Sequence, residues 1–135
     1  HNVPVVADVD GEGFALPQDT DAVILPGGGP GTEKLKKSDM VSGVLAEAAR
    51  RDILISAICA APTALDKAGL LSGKRVTAFP SVQDTIKGSN VTGGAVEEDG
   101  NIITARSAGV ALQFSRAIAA RLVGTEKADE VIANL

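Results

Sequence analysis

Cys59 is the only cysteine among 135 residues, and it sits inside "ILISAICAAPTALDKAG", Ile53 to Gly69. Mostly apolar residues run into the thiol, and a helix-like segment leaves it at once. A strand that ends in a tight turn and feeds a helix presents its turn residue at the carboxyl edge of a sheet. That edge is where open α/β folds bind ligands. Ala57, Ala60 and Ala61 keep the turn free of bulk, so the stretch reads as a nucleophile elbow with alanine where G-x-S-x-G has glycine. A thiol there faces the positive end of a helix dipole, an arrangement that favours thiolate. The competing reading is a structural cysteine, since free cysteine is among the most buried residue types.

A second segment with chemical potential is "LPGGGPG", Leu25 to Gly31, directly after another apolar run. Its glycines let backbone N–H groups turn toward a ligand, as a phosphate cradle or as part of an oxyanion hole. The phosphate reading lacks the G-x-x-x-x-G-K-[ST] and G-x-G-x-x-G spacings, and an ordinary strand-to-helix loop explains the glycines equally. Arg106, in "ITARSAG", ends a strand at the ligand-binding edge and suits an anion, or a surface ion pair. The sole histidine is His1, which removes a Cys-His dyad within this chain and a zinc site built on several His or Cys ligands. A general base must then be a carboxylate or come from outside the chain. Asp10, Glu12, Asp19 and Asp21 precede the glycine loop, and Glu47 and Asp66 lie on helix surfaces, but spacing singles out none of them.

The elements that must position these groups follow from periodicity. Val3–Val6 and Asp21–Leu25 read as short strands. Val41, Val44, Leu45 and Ala48 fall on one helical face, with Ser38 as its start and Arg50 and Arg51 at its negative end. Ile53–Ile58 reads as a strand buried on both faces, the habit of parallel sheets. Pro62–Ala68 reads as a helix stopped by Gly69. "KRVTAF" is another strand, and Pro80 to Lys87 holds a short helix. "GGAVEEDGNIITAR" forms two strands around Asp99-Gly100, a hairpin signal. A long amphipathic helix spans Gly109–Val123 with Leu112, Ile118, Ala119 and Leu122 near one face, and a last helix runs from about Glu126 to Leu135. Alternating strands and helices with buried-type strands predict a three-layer α/β sandwich in one domain, residues 1–135.

Composition narrows the partners. The net charge of −4, with no Trp or Tyr and three Phe, argues against nucleic acid or an anionic membrane surface. No apolar run reaches the roughly 18 residues of a membrane span, and 44% hydrophobic residues suffice for one core. One cysteine forms no internal disulfide, which fits a reducing, cytoplasmic setting.

Taken in order, "DAVILPGGGPG", "AICAAPTAL", "KRVTAFP", "EEDGNIITAR" and the closing amphipathic helix resemble the ThiJ/PfpI superfamily. The similarity is greatest to the branch that holds the parkinsonism-associated deglycase and YajL, and it runs from about Val3 to Gly124. The resemblance implies a flavodoxin-like three-layer α/β/α sandwich with a mostly parallel sheet, usually as a homodimer. It implies Cys59 as the reactive thiol, Gly28 and Ala60 as oxyanion-type backbone donors with Gly27 beside them, and Arg106 lining an anion-accepting pocket. It implies no cofactor and no metal. The implied activity is glyoxalase or deglycase chemistry on methylglyoxal-like aldehydes or glycated adducts; the alternative is a redox-sensing or chaperone-like stress protein with Cys59 as an oxidisable switch.

Departures from the family pattern also carry information. Phe79 stands where some members have a histidine, and YajL-like members also have Phe there; Ala60 replaces the histidine of the peptidase-type "CHG" branch. The family opens with a strand and helix that carry a glutamate bonded to the cysteine. The match begins after that unit, so the expectation is a longer protein whose first βα unit, with the proton-moving carboxylate, lies outside these residues.

Overall fold

A computed structural model describes residues 3–9 and 11–135. Asp10 lies outside the described residues. The elements run β1 (Ala22–Leu25), α1 (Gly29–Lys37), α2 (Asp39–Arg50), β2 (Leu54–Ile58), α3 (Pro62–Lys67), β3 (Arg75–Val76), α4 (Pro80–Gln83), β4 (Asn90–Val91), β5 (Val96–Asp99), β6 (Ile102–Ala105), a 3-10 turn (Ala108–Val110), α5 (Ala111–Val123) and α6 (Thr125–Ala133).

The main sheet has the order β1-β2-β6-β5. β1, β2 and β6 are parallel, and β5 returns antiparallel from the hairpin at Asp99-Gly100. β3 and β4 form a separate two-stranded parallel ladder. The mostly parallel sheet is sandwiched between helices, so the flavodoxin-like α/β architecture is the observed one.

Strand alternation divides the core. Ile53, Ile55 and Ala57 of the β2 region, with Leu25 and Ile102, face the cluster built by α2 and α3. Leu54, Ile103 and Ala105 face α5, where Phe114, Ala117 and Ile118 cover them. Ile55, Leu65 and Ile103 are fully buried, and each such side chain contributes about 1.5–3 kcal/mol relative to exposure. β2 is covered on both faces, which is why its sequence is continuously apolar.

Two expectations need correction, and one helix is added. Val3–Val6 is not a strand: the segment is irregular and its valines are exposed. The helix expected to start at Ser38 does so, Ser38 capping α2 by accepting the Val41 N–H at 3.3 Å, and a further helix, α1, precedes it and ends at Ser38. On α5 the buried stripe is Phe114, Ala117 and Ile118, whereas Leu112 and Leu122 face outward.

Candidate functional site

The parallel register brings three chain crossings to one edge. Leu25 pairs with Ala57 and Ile58 with Ala105. The glycine loop, Cys59 and Arg106 therefore all leave the sheet side by side at its carboxyl end. Asp21, one of the candidate bases, lies at the opposite edge, beside a depression of about 520 Å³ that it lines with Asp52 and Arg121. That larger depression lies away from the thiol.

Cys59 adopts φ 65°, a left-handed conformation that it shares among described non-glycine residues only with Asp52. Such a backbone costs a non-glycine residue about 1–3 kcal/mol and persists only where its surroundings over-determine it. Here both of its peptide groups are held. Its N–H donates to the Ala105 carbonyl at 2.8 Å, and its carbonyl accepts the Phe79 N–H at 2.8 Å. The Ala61 N–H bonds the Ile58 carbonyl at 3.1 Å and tightens the turn into α3. The side chain itself is half-buried.

Gly27 touches this elbow. A Cβ placed on it would lie 2.7 Å from Cys59 Cβ, 2.9 Å from the Ile58 carbonyl oxygen and 3.5 Å from Cys59 Sγ. Only a residue without a side chain permits that approach. Gly28 follows at φ 91° and begins α1 with no side-chain cap. The N–H groups of Gly28 and Ala60 donate to no acceptor among the described residues. Both belong to residues next to the elbow: Ala60 follows Cys59, and Gly28 follows the Gly27 that packs against it.

The remaining groups fill in the surroundings. Arg106 is exposed; its backbone N–H bonds the Ala95 carbonyl at 2.9 Å and its guanidinium reaches the Gly93 carbonyl at 3.4 Å. Phe79, whose backbone N–H bonds the cysteine carbonyl, has a side chain that is 41% exposed. A cleft of about 250 Å³ runs beside the elbow between Gly29, Thr32, Ala60, Thr63, Val82 and Thr85. At its rim the hydrogen bond from Lys36 holds the Glu33 carboxyl below its ordinary value. Glu47 is engaged by Arg50 on α2. Among the described residues no group of three or more His, Cys, Asp or Glu could hold a metal, and no helix is long and apolar enough to cross a membrane.

Of the residues named from the sequence, Gly27 packs against Cys59, Gly28 and Ala60 are their chain neighbours, and the Arg106 backbone follows the Ala105 carbonyl that holds Cys59, while its guanidinium reaches Gly93. What sequence reasoning missed is the backbone clamp from Phe79, because that bond joins segments 20 residues apart and leaves no local pattern.

An open α/β sheet with a strained cysteine at a strand-to-helix elbow, faced by a glycine loop, defines a class of cysteine-elbow proteins. The chain belongs to the DJ-1/PfpI family, whose model matches residues 3–121. It is 42% identical over 117 residues to protein dj-1beta of Drosophila melanogaster, covering 85% of this chain and 63% of that protein. It is 33% identical over 114 residues to the glutathione-independent glyoxalase DJR-1.2 of Caenorhabditis elegans, covering 83% of this chain and 60% of the relative. A crystal structure of Drosophila melanogaster DJ-1beta superposes with a TM-score of 0.83 at 39% identity, over 87% of this chain and 64% of that one. The chain therefore spans less than two thirds of the length of these relatives.

Proposed function

We propose that the protein is a cofactor-independent, glyoxalase-type enzyme that acts on small α-oxoaldehydes, or on the adducts they form with amino groups, through Cys59. The observation that carries this reading is the half-buried thiol held at φ 65° beside two unpaired backbone N–H groups. The relative named a glutathione-independent glyoxalase supports it.

The chemistry follows from those groups. The Cys59 thiolate adds to the aldehyde carbon and forms a C–S bond while the carbonyl π electrons move to oxygen. The N–H groups of Gly28 and Ala60 stabilise that oxyanion until it takes up a proton, giving a hemithioacetal. A base then removes the proton on the former aldehyde carbon and a proton returns to the adjacent carbonyl carbon, so the former aldehyde carbon becomes a thioester. Water hydrolyses the thioester to a 2-hydroxy acid and frees the thiol. Arg106, exposed at the same sheet edge and one residue after the Ala105 carbonyl that holds Cys59, is the proposed partner of the developing carboxylate.

Turnover of methylglyoxal to lactate is the test. Cys59→Ser is expected to reduce it by at least about 10²-fold, while unfolding remains cooperative. Undiminished turnover by that variant would sink the reading.

The same donors favour a second role, as an oxidisable switch, because they also accommodate sulfinate oxygens. That role predicts peroxide-dependent oxidation of Cys59 with no aldehyde turnover. Homodimerisation is part of the proposal too. Val3, Val5 and Val6 are 74%, 88% and 93% exposed, and such apolar exposure suits a partner surface. Sedimentation at micromolar concentration tests it, with a monomer as the contrary outcome.

A further inference from the structure

The elbow is held by more than its own turn. We propose that Thr104 is a positioning residue for Cys59: its buried hydroxyl closes a ring of hydrogen bonds that keeps the cysteine backbone in its left-handed conformation. This inference rests on the reading of Cys59 as the reactive group.

The ring can be followed atom by atom. The Cys59 N–H donates to the carbonyl of Ala105 at 2.8 Å, and the Cys59 carbonyl accepts the N–H of Phe79 at 2.8 Å. These two clamps belong to different segments, β6 and the stretch after β3. β3 pairs with β4 and not with β6, so no backbone ladder ties residues 77–79 to β6. The tie is a side chain: the Thr77 N–H donates to Thr104 Oγ1 at 2.9 Å. Among the described residues it is the one hydrogen bond between residues 77–79 and β6. The path Cys59, Ala105, Thr104, Thr77, Ala78, Phe79 and back to Cys59 is thereby closed. Thr77 Oγ1 donates in turn to the Gly94 carbonyl at 2.7 Å, one residue before Ala95, whose carbonyl accepts the Arg106 N–H.

Both threonines are fully buried. At a fully buried position, a Thr77 N–H deprived of Thr104 Oγ1 must find another acceptor or stay unpaired. Either outcome shifts residues 77–79 and loosens the Phe79 bond to Cys59. A left-handed cysteine relaxes once its surroundings stop over-determining it. The thiol then moves relative to the Gly28 and Ala60 donors. A valine at position 104 matches threonine in shape but offers no acceptor, whereas serine keeps the oxygen.

The test is the rate of Cys59 alkylation by iodoacetamide in the folded protein, far below the unfolding midpoint. Thr104→Val is expected to change it by at least about fivefold; Thr104→Ser is expected to restore it to within about twofold. Ile103→Val, on the opposite face of the same strand, supplies a destabilised control expected to leave the rate unaltered. An unchanged rate in T104V, or a change that T104S fails to restore, overturns the proposal. Should T104V not fold, amide exchange in the unmodified protein decides the matter. The ring predicts that the Thr77, Phe79 and Cys59 amides open together, and independent opening overturns it. Alkylation reads the position of the thiol whether or not methylglyoxal is turned over. Failure of the glyoxalase reading therefore leaves this result interpretable.

Discussion

Two crossings leave the same sheet edge side by side and solve the same geometric problem differently. The β1-to-α1 crossing turns through Pro26, Gly27, Gly28 and Gly29, and takes its left-handed step at a glycine, Gly28, with φ 91°. The β2-to-α3 crossing has no glycine at all and takes its left-handed step at Cys59, with φ 65°. Glycine adopts that conformation without strain, whereas an L-residue pays about 1–2 kcal/mol. The costlier solution is used where a side chain is needed at the turn, and the cheaper one where only backbone is presented. The glycine crossing supplies space and N–H groups; the cysteine crossing supplies the thiol. Of these two crossings, only the one that carries the thiol bears the strain.

The largest expected effect comes from crowding the glycine crossing. Gly27→Ala places a Cβ 2.9 Å from the Ile58 carbonyl oxygen and 2.7 Å from Cys59 Cβ. Backbone cannot swing aside as a flexible side chain does, so the variant is expected to lose about 2–3 kcal/mol, the upper part of the overpacking range. Gly28→Ala meets nothing within 4 Å and differs only by its φ of 91°. With ψ 121° this backbone lies outside even the left-handed helical region, and the variant is expected to lose about 1–3 kcal/mol, less than Gly27→Ala if contact dominates. The order matters, since backbone conformation alone ranks the two glycines the other way round. Urea unfolding of both variants decides between close approach and conformation. If G28A proves the more damaging, contact with the elbow is not what position 27 provides.

Both crossings were legible in the sequence because their signals are local. Apolar runs followed by glycines or small residues, then a proline near the helix start, need no partner to be recognised. The hairpin at Asp99-Gly100 and the buried stripe of α2, with Val41, Leu45 and Ala48, were legible for the same reason. Val3–Val6 has a strand-like composition, yet a strand exists only by pairing, and none of the described residues pairs with it. α1 escaped notice because its residues are nearly all polar, and only Leu35 packs against the core cluster. On α5 the apolar residues outnumber those the sheet can cover. The face that is buried is set by β6 and Leu54, not by periodicity alone. The bonds from Phe79 to Cys59 and from Thr77 to Thr104 are tertiary: the second spans 27 residues, and neither leaves a mark in the chain.

A smaller effect sharpens the contrast from the cysteine side. Cys59→Gly removes both the thiol and the left-handed strain, whereas Cys59→Ala removes the thiol and keeps the strain. Glycine gives back about 0.5–1 kcal/mol through the greater freedom of its unfolded chain, against about 1–2 kcal/mol of relieved strain. Cys59→Gly should therefore be the more stable of the two by up to about 1.5 kcal/mol, with both inactive toward methylglyoxal. Thermal unfolding under identical conditions checks this. A more stable alanine variant would mean that the cysteine crossing is not strained, and the contrast between the crossings would lose its energetic basis.

The smallest expected effect lies outside both crossings and bounds how much of the scaffold's stability is electrostatic. Glu97 pairs across from Thr104 in the β5–β6 register. It accepts a hydrogen bond from Thr92 Oγ1 at 2.6 Å and another from Arg75 Nε at 2.6 Å. Partial burial pushes its carboxyl up, but the Thr92 hydroxyl and the Arg75 guanidinium together override burial and hold it below its ordinary value. A carboxyl depressed in the folded state contributes stability above its unfolded value, and that contribution is lost as the pH falls through the folded value. Arg75 is more than half exposed, so solvent screening keeps the contribution below about 1 kcal/mol. Glu97→Gln should therefore lower stability slightly at neutral pH and flatten the decline on acidification, the two proteins converging once Glu97 is protonated. Parallel stability curves across the acidic range would show instead that Glu97 is no more acidic in the folded protein than in the unfolded chain. The scaffold beneath the elbow would then be held by packing and the buried threonine bonds.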